Sequence, residues 1–191
     1  MNRKDRRAAP KHDPRGAPVA PGADADALFA SAVMQHQVGR NDIAADLIGQ
    51  AIARSPSRPD FHYALGVVLD AAGRSDAAVA PYSEAIRLKP DYSEAHTNLG
   101  NALLRLGRLP EATACYENVL ALKPDYAEMH CNLGNVLARQ GRAEDAVAAF
   151  ERALQFKPSL VEARNGLGIT LIALGRDDAA IEALEQALAL N

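Results

Sequence analysis

The chain has 191 residues, long enough for one ordinary domain or a short stacked array. Apolar residues make up 48 % of it, but aromatics only 5 %, and tryptophan is absent; Ala and Leu carry the apolar content, which favours helix over strand. A net charge of −3 is too small to point to a nucleic-acid or membrane partner, and no apolar run approaches the ~18 residues that a bilayer span needs.

The first segment, residues 1–24, stands apart. Within residues 1–16, Arg3, Lys4, Arg6, Arg7, Lys11 and Arg15 against Asp5 and Asp13 give +4, so a basic start precedes a remainder of −7. Pro10, Pro14, Pro18 and Pro21 and the lack of a large apolar cluster predict disorder. No apolar stretch follows the basic start, so it does not read as a signal peptide.

From residue 25 onward a period of 34 takes over. Pro56, Pro90, Pro124 and Pro158 recur at that interval, and so do Gly39, Gly73, Gly107, Gly141 and Gly175, each followed by Arg. A fixed period of this size means stacked supersecondary units. The units fall at 25–58, 59–92, 93–126, 127–160 and 161–191, the last three residues short.

The first unit has Ala32 where the next four have Gly66, Gly100, Gly134 and Gly168. The second carries Pro81 inside its second apolar-periodic segment, where proline should bend the helix at a cost of ~3 kcal/mol. In the third, Ala95, Leu99, Ala102, Leu103 and Leu106 have helical spacing over 93–106. Gly107 then stops that helix, Pro110 suits the start of the next, and residues 111–123 are helical up to Pro124. The fourth keeps the same glycine and closing proline, at Gly141 and Pro158. Small residues recur at Ala44, Ala78, Ala112, Ala146 and Ala180, and again at Ala51, Ala85, Ala153 and Ala187, with Val119 breaking the second row. They mark where helices approach closely. The fifth unit ends in a helix over about 178–190 whose Ile181, Leu184 and Leu188 cannot all turn inward.

Leu99-Gly100, Leu103, Ala112, Tyr116 and Pro124, and equally Leu133-Gly134, Leu137, Ala146, Phe150 and Pro158, resemble the tetratricopeptide repeat (TPR) family over residues 25–191. The resemblance implies an all-α fold, a right-handed superhelical solenoid of helix-turn-helix repeats. It also implies a concave groove that binds a segment of another protein. The chain departs from the family's pattern at the first-helix aromatic, replaced by Leu28, His62, His96, His130 and Arg164.

Candidate chemistry is sparse. His62, His96 and His130 are 34 apart, and equivalent residues a helix-packing distance of ~8–10 Å or more from one another cannot share a zinc ion. They read as polar replacements for a packed aromatic. Cys115 and Cys131 form no CxxC pair and read as reduced thiols, not a disulfide or a nucleophile. Every other glycine-rich feature is a repeat position, so no phosphate loop, catalytic residue, metal or cofactor is expected. Acids at Asp26, Asp60, Glu94, Glu128 and Glu162 open the first helices, and Arg40, Arg74, Arg108, Arg142 and Arg176 follow the glycines; both rows suit helix electrostatics.

The asparagines are the candidate site. Asn98 and Asn101 share a helix face, Asn132 and Asn135 repeat the pair, and Asn165 sits one position off register. Asn is mildly unfavourable inside helices, and its amide can pair with both C=O and N–H of an extended peptide. In the family such positions face the groove; the protein O-linked N-acetylglucosamine transferases resemble this stretch, with a ladder of asparagines that holds substrate peptides. Arg105 and Arg139, four residues after Asn101 and Asn135, should border the same groove. The Lys positions of the family's carboxylate clamp hold Tyr63, Thr97 and Cys131, so that clamp is not expected.

The expectation is a cytoplasmic, non-enzymatic scaffold that binds another protein or peptide, with end-to-end self-association through the C-terminal helix. The rival reading is the N-terminal recognition module of a truncated or split TPR-containing transferase, of the glycosyltransferase type.

Overall fold

The computed structural model describes residues 24–190. The expected disordered tail falls on residues outside these, apart from Asp24. That residue is the N-cap of the first helix, its carboxylate accepting from the Ala27 amide at 2.8 Å.

Ten helices and no strand make up the described chain, paired as five helix-turn-helix units. The first helices are α1 (Ala25–Gln37), α3 (Pro59–Ala71), α5 (Ser93–Arg105), α7 (Ala127–Arg139) and α9 (Val161–Ala173). The second helices are α2 (Asn41–Arg54), α4 (Ser75–Leu88), α6 (Leu109–Leu122), α8 (Ala143–Phe156) and α10 (Asp177–Leu188). Each helix packs on its neighbours in sequence, and successive first helices also touch, α3 with α5 and α7 with α9. No two second helices approach as extensively, so the array curves with the first helices inside.

The glycine after each first helix has a physical task. Gly39, Gly73, Gly107, Gly141 and Gly175 have φ between 69° and 77°, and no other residue type has positive φ among the described residues. At Gly107 the Arg108 amide donates to the Leu103 carbonyl at 2.9 Å and the Gly107 amide to Leu104 at 3.1 Å, a Schellman closure that the other four turns repeat. The arginine that follows is at once the N-cap of the second helix. Two of these arginines, each at the positive end of that helix, are balanced by an acid three residues on, Arg108 by Glu111 and Arg142 by Asp145, and Arg176 pairs with Glu144 of the preceding repeat. At Arg108, Arg142 and Arg176 ion pairs therefore offset the unfavourable dipole end of the second helix, while the first helix, whose negative end lies just before, favours the cation.

The small-residue rows are contact points. Ala44, Ala78, Ala112, Ala146 and Ala180 are buried, as are Ala51, Ala85, Val119, Ala153 and Ala187. The first-helix glycines receive a large side chain sixteen residues on. A Cβ at Gly66, Gly100, Gly134 or Gly168 would lie within 2.5–2.8 Å of Tyr82, Tyr116, Phe150 or Leu184. Gly100→Ala should therefore lower stability by about 1 kcal/mol, since overpacking against buried Tyr116 outweighs the better helix propensity. Gly49, with nothing within 4 Å of its would-be Cβ, should do the reverse: Gly49→Ala should gain up to about 1 kcal/mol. Urea midpoints of the two variants check the opposite signs.

The residues in place of the family's aromatic tie each repeat to the turn before it. Nε2 of His62, His96 and His130 donates to the carbonyl of Pro56, Pro90 and Pro124 at 2.8, 3.0 and 2.9 Å. Arg164 does the same to Pro158 through Nε at 3.1 Å. These histidines serve separate turns, and among the described residues no group of three His, Cys, Asp or Glu could hold a metal.

Candidate functional site: the face of the first helices

The first helices place the candidate residues in rows one repeat apart. Asn98 is half-buried, and its amide donates to the Tyr63 hydroxyl at 3.1 Å, across to the preceding repeat. Asn101 accepts from the Tyr116 hydroxyl at 2.7 Å through Oδ1. These two are partly occupied in holding the structure. Asn132 is half-buried and Asn165 exposed, and neither side chain bonds to another described residue. Asn135 is exposed, with only a long contact from Nδ2 to Cys131 Sγ at 3.9 Å. The five asparagines thus do not form a uniform ladder.

The arginines divide in the same way. Arg105 is engaged by the Asp70 carboxylate and donates through Nε to Ser75 Oγ at 3.0 Å, while Ser75 in turn donates to Asp70. Arg139 reaches only the Leu104 carbonyl at 3.5 Å, so its guanidinium pairs with no carboxylate among the described residues.

Two hollows recur at the repeat interval. One, of about 480 Å³, is lined by Glu94, Thr97, Asn98, Lys123 and Tyr126, with Tyr63 at its side. The other, of about 280 Å³, is lined by their counterparts Glu128, Cys131, Asn132, Lys157 and Leu160. Each offers an amide floor, an acid and a lysine at the rim and an apolar wall. In the second, Lys157 Nζ lies 2.6 Å from Glu128, and this hydrogen bond holds the Glu128 carboxyl below its usual range. A further hollow of about 450 Å³ lies beyond Asn98, between Asp70, Tyr82 and Arg105.

The polar stretch is bounded. The row of Asn101 and Asn135 continues as Val33 and Val67 at one end and Ile169, 65 % exposed, at the other. The row of Asn98 and Asn132 ends in Ala64 and Gly166. At the N-terminal end an apolar hollow of about 120 Å³ opens between Ala32, Val33, Ile48, Val67 and Val68. A polar centre in the third and fourth repeats is thus flanked by apolar ends. Tyr63 stood at a clamp position in the sequence, but Tyr126, the lysines and the apolar ends were not among the residues expected there. The 34-residue register that located the asparagines would have located them too.

Burial settles the character of the thiols. Cys115 is pushed up to about 11 by burial, then by Glu111; Cys131 reaches about 11 by burial, then by Glu162 and Glu128. Both stay neutral and poorly nucleophilic near pH 7. Tyr116 is likewise raised by burial, to about 12. The unfolded chain ionises these groups at their ordinary values of 9.0 and 10.0, before the folded chain does. Their contribution is therefore intact below pH 9 and is lost as pH rises through 11 and 12. Urea midpoints should hold steady up to pH 9 and then fall, and Cys115→Ala should soften the fall between 9 and 11.

Stability should also separate the asparagines. Asn101→Ala strands the hydroxyl of buried Tyr116 and should cost about 1–3 kcal/mol. Asn132→Ala should leave the thermal midpoint unchanged or raise it slightly, because Ala is the better helix former.

A tetratricopeptide repeat profile matches residues 35–93 and 97–161, and a second tetratricopeptide repeat profile matches 137–191. No curated protein matches the chain. Among solved structures, MamA 41-end from Desulfovibrio magneticus RS-1 is 20 % identical with a TM-score of 0.83, over 90 % of this chain and 97 % of that one. A crystal structure of MamA is 22 % identical with a TM-score of 0.81, over 83 % of this chain and 93 % of that one. YrrB, described as a TPR protein with an unusual peptide-binding site, is 20 % identical with a TM-score of 0.79, over 88 % of this chain and 87 % of that one. At these identities the likeness is one of fold, an all-α TPR solenoid. With profiles covering most of its length and the helix pairs, glycine turns and small-residue contacts described above, the chain belongs to the tetratricopeptide repeat family.

Proposed function

We propose that this chain is a cytoplasmic protein-interaction scaffold that lays a polypeptide segment along the inner face of its first helices. In this reading residues 25–191 form the binding solenoid behind a basic tail of residues 1–24. The observation that carries it is the pair of hollows one repeat apart, each combining an asparagine amide with an acid and a lysine. A backbone crossing both would meet an amide able to accept its N–H and donate to its C=O at a regular interval. Asn132, Asn165 and Arg139, which pair with no other described side chain, are the available polar groups; Asn135 extends the same face, while Asn98, Asn101 and Arg105 shape it from beneath. YrrB, which shares the fold, carries a peptide-binding site by its description. Among the described residues no helix is long and apolar enough to cross a membrane. Self-association through the C-terminal helix is part of the same proposal.

Photo-crosslinking tests the groove. A crosslinker at residue 139 should capture a polypeptide that one at exposed Glu117, on a second helix, does not. Against a peptide taken from that polypeptide, Asn132→Ala and Arg139→Ala should each weaken binding by about 1 kcal/mol or more. Equal capture from both positions, or undiminished affinity in both variants, would remove the inner face as the binding surface.

A further inference from the structure

The first and last described helices carry complementary halves of the seam that interior repeats close on one another. In the interior the second helix of each repeat packs on the first helix of the next. On the receiving side Val68, Ala102, Val136 and Thr170 hold one row and are all buried; Val136 packs with Cys115, Tyr116 and Val119 of the repeat before it. Met34 holds the same place in α1 and is 62 % exposed. Ala27, in the row of buried Phe61, Ala95, Met129 and Ala163, is exposed too. On the giving side Val147 is buried against Leu171 of the next repeat, and Leu154 is half-buried. Their counterparts in α10, Ile181 and Leu188, are 55 % and 74 % exposed.

Charge follows the same register. Arg176 pairs with Glu144 of the preceding repeat at 2.9 Å. The row of Arg176 begins with Arg40, and the row of Glu144 ends with Asp178; both are exposed. A helix pair laid on α10 in the register of a sixth repeat would set its own Arg40 against Asp178.

We infer that copies of this chain stack head to tail, α1 of one copy seated on α10 of the next as if it opened a sixth repeat. This rests on the self-association proposed above and names the surfaces it uses. A second copy is the matching occupant because it presents the apolar row that each interior second helix already buries, together with the arginine for the acid at the rim. The contact is heterologous, so association is open-ended rather than closing at a dimer. The Arg40–Asp178 pair is exposed and contributes register more than strength.

Sedimentation equilibrium of the full chain tests this, with circular dichroism confirming that each variant folds. The apparent mass of the unaltered chain should climb with concentration past that of a dimer. Met34→Glu closes the head and Leu188→Glu closes the tail; both sites are exposed, and each variant alone should be monomeric. Mixed in equal amounts they should form a heterodimer and stop there, since one still has a tail and the other a head. Asp178→Arg should weaken association by up to about fivefold, and adding Arg40→Asp to the same chain should restore it. A closed dimer that survives Met34→Glu would overturn head-to-tail stacking and leave self-association through the C-terminal helix standing. A monomer at every concentration would overturn both.

Discussion

Phe150→Ala should cost about 3–5 kcal/mol, a loss felt first in the C-terminal half. Phe150 is fully buried in a cluster with Cys131, Leu137, Ala153 and Ala163. Its ring fills the space over two glycines at once: a Cβ at Gly134 would lie 2.8 Å from it and one at Gly166 2.5 Å. With no side chain on either glycine, nothing nearby can fill the hole that alanine leaves. Each kcal/mol corresponds to about 2–4 °C for a chain of this size. Since each repeat touches only its neighbours, the damage should stay local. Hydrogen exchange should show α7 to α10 losing protection well before α1 to α4. A loss below about 1 kcal/mol, or one spread evenly over all ten helices, would contradict the packing account.

Pro81→Ala should raise stability by about 2 kcal/mol. Helix α4 runs from Ser75 to Leu88 without interruption, so Pro81 sits in its interior and cannot donate to the Ala77 carbonyl. Alanine restores that donor and removes a propensity penalty of about 3 kcal/mol. Greater freedom of the unfolded chain takes back up to about 1 kcal/mol. The equivalent places in later repeats hold Cys115, Ala149 and Ala183, all buried, so alanine fits the row. The urea midpoint checks it; an unchanged or lowered midpoint would mean that the packing of the half-buried proline ring matters more than the missing hydrogen bond.

The fold was legible because its punctuation is chemical. Gly107 and its equivalents mark left-handed backbone, and Pro124 and its equivalents mark helix stops, each within a few residues of the event it causes. The Gly–aromatic contacts were legible only as rows of small residues, because what fills the space lies on another helix. Pro81 was expected to bend its helix, not to end it, and α4 runs unbroken through it, with Ala78, Tyr82 and Ala85 of the same helix buried. The candidate site was less legible. Sequence treats Asn98 and Asn132 as equals, but only Asn98 meets a tyrosine hydroxyl, because Tyr63 has Thr97 as its counterpart in the next repeat. Likewise Arg105 finds Asp70, whereas Arg139 meets Leu104 in the same row. A repeat period predicts where a side chain stands, and its partner one period away decides whether it is spoken for.

The five matching glycine–arginine closures bear on how such a chain changes length over generations. Each closure is completed within six residues, between two carbonyls of the first helix and two amides that follow it. No closure depends on which repeat precedes or follows. Unequal recombination that inserts or removes thirty-four codons therefore leaves every turn intact and joins surfaces of a kind already present. Removing residues 93–126, for example, would bring α4 against α7, and the buried Ala95 would be replaced by the equally buried Met129. Frame-preserving slips of any other size would misalign the glycines with the helix ends. Drift in this gene should accordingly be quantised in whole repeats, with the polar third and fourth units lengthening or shortening the proposed binding face one amide step at a time.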